Sequence, residues 1–445
     1  MSRILLISSN SFTYPYPVYP LGMAIISSAL LKNGHDVRQF DFLKEVQPID
    51  RLKEVIKDYS PDYTGISIRN IDDVDSLARE MEILKNEKDI VQVIRKHSNA
   101  PIIIGGSAFS AMPEEIIDFI EADYGIIGRG EDLIISLIED LESGVPVPRL
   151  QRQPGHTSDV PVNLSPLWEK SMVEYYLGKS GMLNIQAKSG CPFKCSYCVY
   201  PCLEGSRFSF RDPQSVVDDL KRAGELYNAD TFFFTDSIFN DPDGYYLELA
   251  EKIILSGLNI RWAGYFRPKA TGLEEIRLLK RSGLFAVEVG SDAASDFSLQ
   301  KLKKGFSFDD IIAFHNVLVK ERIPASYFFI FGGPGETEES VKDGLVNIKR
   351  LDQGVIFFYS GIRILPGTGL YSLAVKEGVI SKGDPLLKPR YYFSRDIDIK
   401  RMNDLIEEEA RGKRRYIFPP EKGKKLANVM YSFGYKGLLW DQLLL

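Results

Sequence analysis

The chain is poor in the residues that mark special classes of protein. Its 445 residues include four cysteines, four histidines and three tryptophans. A disulfide framework spreads its cysteines, but these four, Cys191, Cys195, Cys198 and Cys202, fall in one short stretch. No apolar run nears the ~20 residues of a membrane span. The opening run Ile4–Ile7 is too short for the apolar region of a signal peptide. We therefore expect a cytoplasmic protein without a membrane span. Neither sign of charge dominates: 55 Lys and Arg stand against 61 Asp and Glu, a net charge of −6. That balance lacks the basic excess needed for non-specific nucleic-acid binding. With 44% hydrophobic residues, the composition is that of an ordinary globular protein of two or three domains.

What is present is an α/β pattern, twice over. In residues 1–142, β-branched runs at Arg3–Ser8, Val37–Phe42, Tyr63–Ile68, Pro101–Ile104 and Tyr124–Ile127 alternate with amphipathic stretches such as Leu21–Leu31 and Val74–Arg95. This predicts a doubly wound, Rossmann-like domain with five parallel strands. Ligands of such sheets lie beyond the carboxyl ends of the strands. Those ends carry Tyr19, Pro20 and Gly22, then Arg69, Asn70 and Asp72, then Gly105, Gly106 and Ser107, then Gly128, Arg129, Gly130 and Glu131. The opposite ends are plain, so one large ligand is expected along this edge. Residues 143–178, with Pro146, Pro148, Pro154, Pro161 and Pro166, read as a linker. Residues 179–369 hold six more strand candidates: Leu183–Ala187, Thr231–Thr235, Ile260–Gly264, Ala286–Val289, Ser326–Phe331 and Val355–Tyr359. Six βα units predict a (βα)6 partial TIM barrel, with its functional residues at the strand C-termini. Residues 370–445 read as a small, mostly helical region that packs on the barrel and sets specificity.

Cys191-Pro-Phe-Lys-Cys195-Ser-Tyr-Cys198 offers three thiolates to one metal group and leaves one position open. On zinc, that position would make a Lewis-acid site. On a 4Fe-4S cubane it would leave one iron without a protein ligand. Buried structural thiols are the third reading, since positions 191, 195, 198 and 202 share a helix face. Gly190, Pro192 and Pro201 argue against such a helix.

The spacing, its place just after the first barrel strand, and the aromatic Tyr197 resemble the radical S-adenosylmethionine superfamily. The resemblance implies a 4Fe-4S cluster on Cys191, Cys195 and Cys198. Its open iron would chelate S-adenosylmethionine, which one electron from a ferredoxin- or flavodoxin-type donor cleaves to a 5′-deoxyadenosyl radical. The loops resemble, in order, those of the cobalamin-binding branch: Pro20-Leu-Gly22, Gly34-His-Asp-Val, Gly65 to Asp72, Gly105 to Ser110, Gly128 to Glu131, Pro201 to Gly205, Glu288-Val-Gly-Ser291, Gly332 to Thr337, and Arg363 to Gly367. Methylthiotransferases share the barrel glycines but carry three further N-terminal cysteines, which are absent here. The cobalt-binding Asp-x-His-x-x-Gly motif is also absent. His35, His97, His156 and His315 read as surface or capping residues.

The resemblance therefore implies cobalamin without a protein histidine on cobalt. Arg69 and Asn70 would stand near its lower face, unless Arg69 pairs with Asp72, Asp73 or Asp75. The rest of the cobalamin set is Tyr19, Pro20, Gly22, Asp72, Gly105, Gly106, Ser107, Gly128, Arg129, Gly130 and Glu131. For S-adenosylmethionine it is Tyr197; Glu288 and Ser291 at the ribose or amino group; Arg267 or Arg363 at the carboxylate; Gly332 and Gly333 by backbone approach; and Asp236, orienting water or substrate unless it is a helix cap. Tyr200, Phe208, Tyr265, Phe266 and Tyr327 would line a cavity between the modules, or else form core. Cys202 reads as packing or support. The implied activity is transfer of a methyl group from S-adenosylmethionine, by way of cobalamin, to an unactivated carbon. The substrate would be a peptide or protein side chain, such as a glutamine of methyl-coenzyme M reductase, or a small molecule. The alternatives are a non-methylating ring closure or rearrangement, and a cobalamin sensor or carrier with a structural cluster.

Overall fold

The computed structural model describes residues 1–78, 84–152, 163–269 and 271–444. The first module is a parallel sheet of six strands, Arg3–Ser8, Asp36–Asp41, Tyr63–Ser67, Ile102–Gly105, Tyr124–Ile127 and Leu150–Arg152, in the order 2-1-3-4-5-6. The chain reverses its winding between strands one and three. Both pair with their neighbours in parallel, and a crevice opens beyond their carboxyl ends.

The sixth strand corrects the expectation of five. Leu150–Arg152 has three residues and only one apolar side chain, too little for an alternating pattern. It lies in the stretch expected to be a linker, which also holds the helix Lys170–Ser180. Pro154, His156 and Pro161 lie outside the described residues. The amphipathic stretch expected at Val74–Arg95 forms a helix only from Lys85, running to His97; residues 79–83 lie outside the described set.

The second module is a parallel sheet in simple sequential order. Its strands are Leu183–Ile185, Thr231–Phe234, Arg261–Phe266, Leu284–Asp292, Ala325–Phe331, Val355–Ser360 and Tyr416–Ile417. The first six are the expected barrel strands. The seventh, of two residues, comes from the C-terminal region. Alternation puts Phe233, Ala263, Ala286, Val355 and Phe357 on the concave face, where Tyr16 of the first module and Trp440 and Leu443 of the C-terminal turn fill the interior. Trp262, Phe266, Tyr327 and Phe329 face the outer helices.

The modules are joined by buried and half-buried contacts. Arg363 Nε meets Asp72 Oδ2 at 2.8 Å, both side chains being buried. Lys424 pairs with Asp73. The Tyr19 amide donates to Asn184 Oδ1 at 3.0 Å, and Glu115 accepts from the amides of Leu386 and Leu387.

Candidate active site

A cavity of about 400 Å³ opens between the two carboxyl edges. From the first module it is lined by Tyr19, Pro20, Gly22, Arg69, Gly105, Gly106, Ser107, Gly128, Arg129, Gly130 and Glu131, all read from the sequence as ligand-edge residues. Asn70 and Asp72 are not on its wall. Asp72 is instead held by Arg363, which also donates to the carbonyls of Ile364 and Leu386 at 2.8 and 2.7 Å. In this structure the guanidinium and the carboxylate are thus buried against each other, off the cavity wall.

Local geometry explains the rim. Gly106 has φ of +103°, and a Cβ there would stand 2.5 Å from the Ile68 carbonyl oxygen. The turn is thus packed against the Ile68 backbone so closely that only glycine fits. Ser107 Oγ donates to the Arg69 carbonyl at 3.0 Å and fixes that loop. The Arg69 side chain is exposed, lines the cavity and forms no ion pair among the described residues. Asp73 is taken by Lys424 and Asp72 by Arg363, so the alternative of a surface ion pair at Arg69 is not realised. A large cleft whose rim is rich in glycine backbone fits a corrinoid.

The cysteine turn closes the other side, contributing Ser189, Tyr200, Leu203 and Glu204 to the same cavity. Gly190 holds the turn with φ of +82°, where a Cβ would sit 1.9 Å from the Arg207 carbonyl oxygen. Its amide donates to Glu204 Oε2 at 3.1 Å and its carbonyl accepts from Ser237 Oγ at 2.8 Å. Cys191 is buried, Cys195 and Cys198 half-buried. Burial, reinforced by the neighbouring thiols, pushes Cys191 up and Cys198 to about 12. Ligation to a cationic cluster is what would make thiolates favourable there, and the donor set fits one. Among the described residues no three His, Cys, Asp or Glu side chains form a cage for a single metal ion.

Around the thiols lies a polar cluster that sequence reasoning found only in part. The Tyr197 hydroxyl donates to Asp292 Oδ2 at 2.5 Å, and Lys304 pairs with the same carboxylate. Burial works against the Lys304 charge, but Asp292 and the thiols hold its pKa above the usual value. Arg267 stacks on Phe193 of the cysteine turn, 4.3 Å from the ring centroid, and donates to the Lys304 carbonyl at 2.7 Å.

Other expected contacts are engaged elsewhere. Asp236 is fully buried; Oδ1 accepts from the amides of Ala187 and Lys188, and Oδ2 lies 3.2 Å from Lys188 Nζ. It is neither a cap nor open to substrate. Lys188, unremarked in the sequence, also meets Asp241 at 3.4 Å and locks the base of the turn. Ser291 Oγ donates to the Phe328 carbonyl at 2.7 Å. The amides of Gly332 and Gly333 donate to Glu336 Oε2 at 2.6 and 2.8 Å rather than facing a ligand. Glu288 accepts from Trp440 Nε1 at 2.9 Å inside the barrel. Tyr200 and Tyr265 line the cavity. Phe266 and Tyr327 are core, and Phe208 packs on Phe210. His35 and His315 are buried, not surface residues. Cys202 is exposed, so the packing reading fails there.

The geometry matches known proteins throughout. A B12 binding domain model matches residues 10–138, and a radical SAM superfamily model matches residues 185–345. Tryptophan 2-C-methyltransferase of Streptomyces laurentii is 26% identical, over 80% of this chain and 72% of its own length. The radical S-adenosylmethionine methyltransferase TsrM of Kitasatospora setae, solved with cobalamin and a [4Fe-4S] cluster, superposes with a TM-score of 0.85 at 22% identity, over 100% of this chain and 98% of that one. OxsB, a cobalamin-dependent radical enzyme solved with aqua-cobalamin and S-adenosylmethionine, gives 0.73 at 16% identity, over 97% and 71%. Among the described residues no helix is long and apolar enough to cross a membrane. With both modules matched and facing one cavity, the chain joins a B12 binding domain to a radical SAM domain, the pairing found in cobalamin-dependent radical S-adenosylmethionine enzymes, whose groups are a 4Fe-4S cluster, S-adenosylmethionine and cobalamin.

Proposed function

We propose that the enzyme moves a methyl group from S-adenosylmethionine to an unactivated carbon of a residue-sized substrate, either a peptide or protein side chain or a free small molecule, held in the cavity shared by the two modules. The observation that carries this reading is that shared cavity, lined by the glycine rim of one module and by residues flanking the three cysteines of the other. When bound, the cluster with S-adenosylmethionine supplies radical chemistry and cobalamin supplies a methyl carrier; the protein contributes alignment and exclusion of water.

In this reading Cys191, Cys195 and Cys198 hold the cluster. Arg267, fixed on Phe193, presents positive charge to a carboxylate beside it. The Tyr197–Asp292–Lys304 cluster stiffens the surrounding wall. The glycine rim, with Ser107 and Arg129, would hold the corrinoid, and Arg69 would offer it a cationic side chain where other cobalamin proteins place a histidine. A family enzyme of this kind needs a reductant; a ferredoxin- or flavodoxin-type protein is the proposed donor.

The test is anaerobic reconstitution with cobalamin, a reductant and S-adenosylmethionine carrying a deuterated methyl group. Candidate peptides and small molecules are then searched by mass for one labelled methyl. Methylation yields both S-adenosylhomocysteine and 5′-deoxyadenosine. Formation of 5′-deoxyadenosine alone, with an altered but unlabelled product, would establish the ring-closure or rearrangement reading instead.

A further inference from the structure

Glu204 stands where the two modules meet. It follows the short helix Tyr200–Leu203, which packs on the helix Ser107–Ala111 of the first module. The Leu203 carbonyl oxygen closes on Gly128, where a Cβ would stand 3.2 Å from it. Just beyond, Arg129 donates to Ser209 Oγ at 3.3 Å. Glu204 thus sits beside the rim formed by Gly128, Arg129, Gly130 and Glu131, and shares one cavity wall with all four.

The two oxygens of its carboxylate are used differently. Oε2 accepts from the Gly190 amide at 3.1 Å. The next residue of each segment repeats the bond: the Cys191 amide donates to the Gly205 carbonyl at 3.0 Å. Glu204 and Gly205 therefore hold the start of the cysteine turn. Oε1 has no hydrogen-bond partner among the described residues, and no Lys or Arg there forms an ion pair with Glu204. The side chain is half-buried on the cavity wall, and Oε1 is not one of the atoms sealed from solvent without a partner. A carboxylate with one oxygen engaged and the other open to a cleft suits a ligand that donates N–H groups. The edge of a corrin ring carries primary amides, which are such donors. The place of Glu204 beside the rim, rather than among the barrel strands with Phe233, Thr235 and Tyr265, favours the corrinoid over the substrate as that ligand.

We propose that Glu204 serves both cofactor sites at once: Oε1 accepts from a corrin side-chain amide while Oε2 holds the Gly190 amide of the cysteine turn. It is a positioning residue that couples the two sites. A turn ordered by its cluster presets the carboxylate for the corrinoid, and the corrinoid steadies the turn by the same factor. This rests on the reading of the cavity as the corrinoid cleft.

The test is anaerobic calorimetry with hydroxocobalamin, on protein with and without its reconstituted cluster. Burial pushes the Glu204 carboxyl up to about 7, so the titrations are run at about pH 8, where it is ionised. In the wild type the cluster should tighten cobalamin binding at least about fivefold. Glu204→Leu removes both bonds, whereas Glu204→Gln keeps a carbonyl oxygen for Gly190. In cluster-loaded protein, Glu204→Leu should weaken cobalamin binding at least about tenfold and Glu204→Gln by less. In both, the ratio between cluster-loaded and cluster-free affinities should fall towards one. A role confined to shaping the turn would lower the cluster content and leave the cobalamin affinity of loaded molecules unchanged, which would overturn the proposal. So would a wild-type ratio of one, or a ratio that persists in the variants. If Glu204→Leu takes up no cluster, Glu204→Gln decides on the same criteria, with affinities referred to bound iron. No cobalamin binding by the wild type would overturn the corrinoid reading itself, and this proposal with it. Binding is read without turnover, so a failure of methyl transfer is a separate result.

Discussion

Single residues carry the first expectations. Replacing Cys191, Cys195 or Cys198 by Ala should remove the visible iron–sulfur absorbance and the bound iron of the reconstituted protein. Cys202→Ala should retain both, because that thiol is exposed; loss of the cluster there would make it a fourth ligand. Arg69→His offers cobalt an imidazole and should shift the corrinoid absorbance, and an unchanged spectrum would remove Arg69 from the lower face. The Glu288 carboxyl also predicts a pH effect. Its folded pKa, about 7, lies above its ordinary 4.5. The folded state thus holds the proton more tightly, and this contribution is complete below about pH 4.5 and lost as pH rises towards 7. In urea titrations of ligand-free protein, Glu288→Gln should therefore gain on the wild type between pH 5 and pH 7.5, by an amount on the order of 1–3 kcal/mol. A gap that stays constant with pH would refute the buried, unpaired carboxylate.

At the scale of elements, the rim loop after the fourth strand of the first sheet is the sensitive one. Gly106→Ala forces a Cβ onto the Ile68 carbonyl and should cost about 1–3 kcal/mol in thermal or chemical unfolding. It should also lower the corrinoid retained after gel filtration; full retention with unchanged stability would show that the rim tolerates a side chain. Elements were legible where the chain wrote them at length. The six barrel strands are β-branched or aromatic runs, and the rim glycines follow strand ends, where position alone marks them. Leu150–Arg152 and Tyr416–Ile417 were not legible, because two or three residues have no period; tertiary pairing makes them strands. The contacts expected at Asp236, Ser291 and Gly332 failed for a different reason. A polar residue at a strand end is a candidate ligand until its actual partner is known, and Lys188, the Phe328 carbonyl and Glu336 had taken these three.

For the whole molecule, the decisive pairings lie far apart in sequence: Asp72 with Arg363, separated by 291 positions, and Glu288 with Trp440, separated by 152. No local pattern announces either. Arg363→Ala would strand a buried Asp72 carboxylate between the modules and should cost about 3–5 kcal/mol. The double variant with Asp72→Asn should recover part of that loss, and a single variant as stable as wild type would mean that the modules are held by their apolar contacts alone. The Trp440 contact has one more consequence. The chain has three tryptophans; Trp168 and Trp262 pack among core side chains, whereas the Trp440 indole touches the unpaired carboxylate. In ligand-free protein its fluorescence is thus a built-in reporter of that carboxyl, expected to shift as pH crosses about 7, a shift that should vanish in Trp440→Phe.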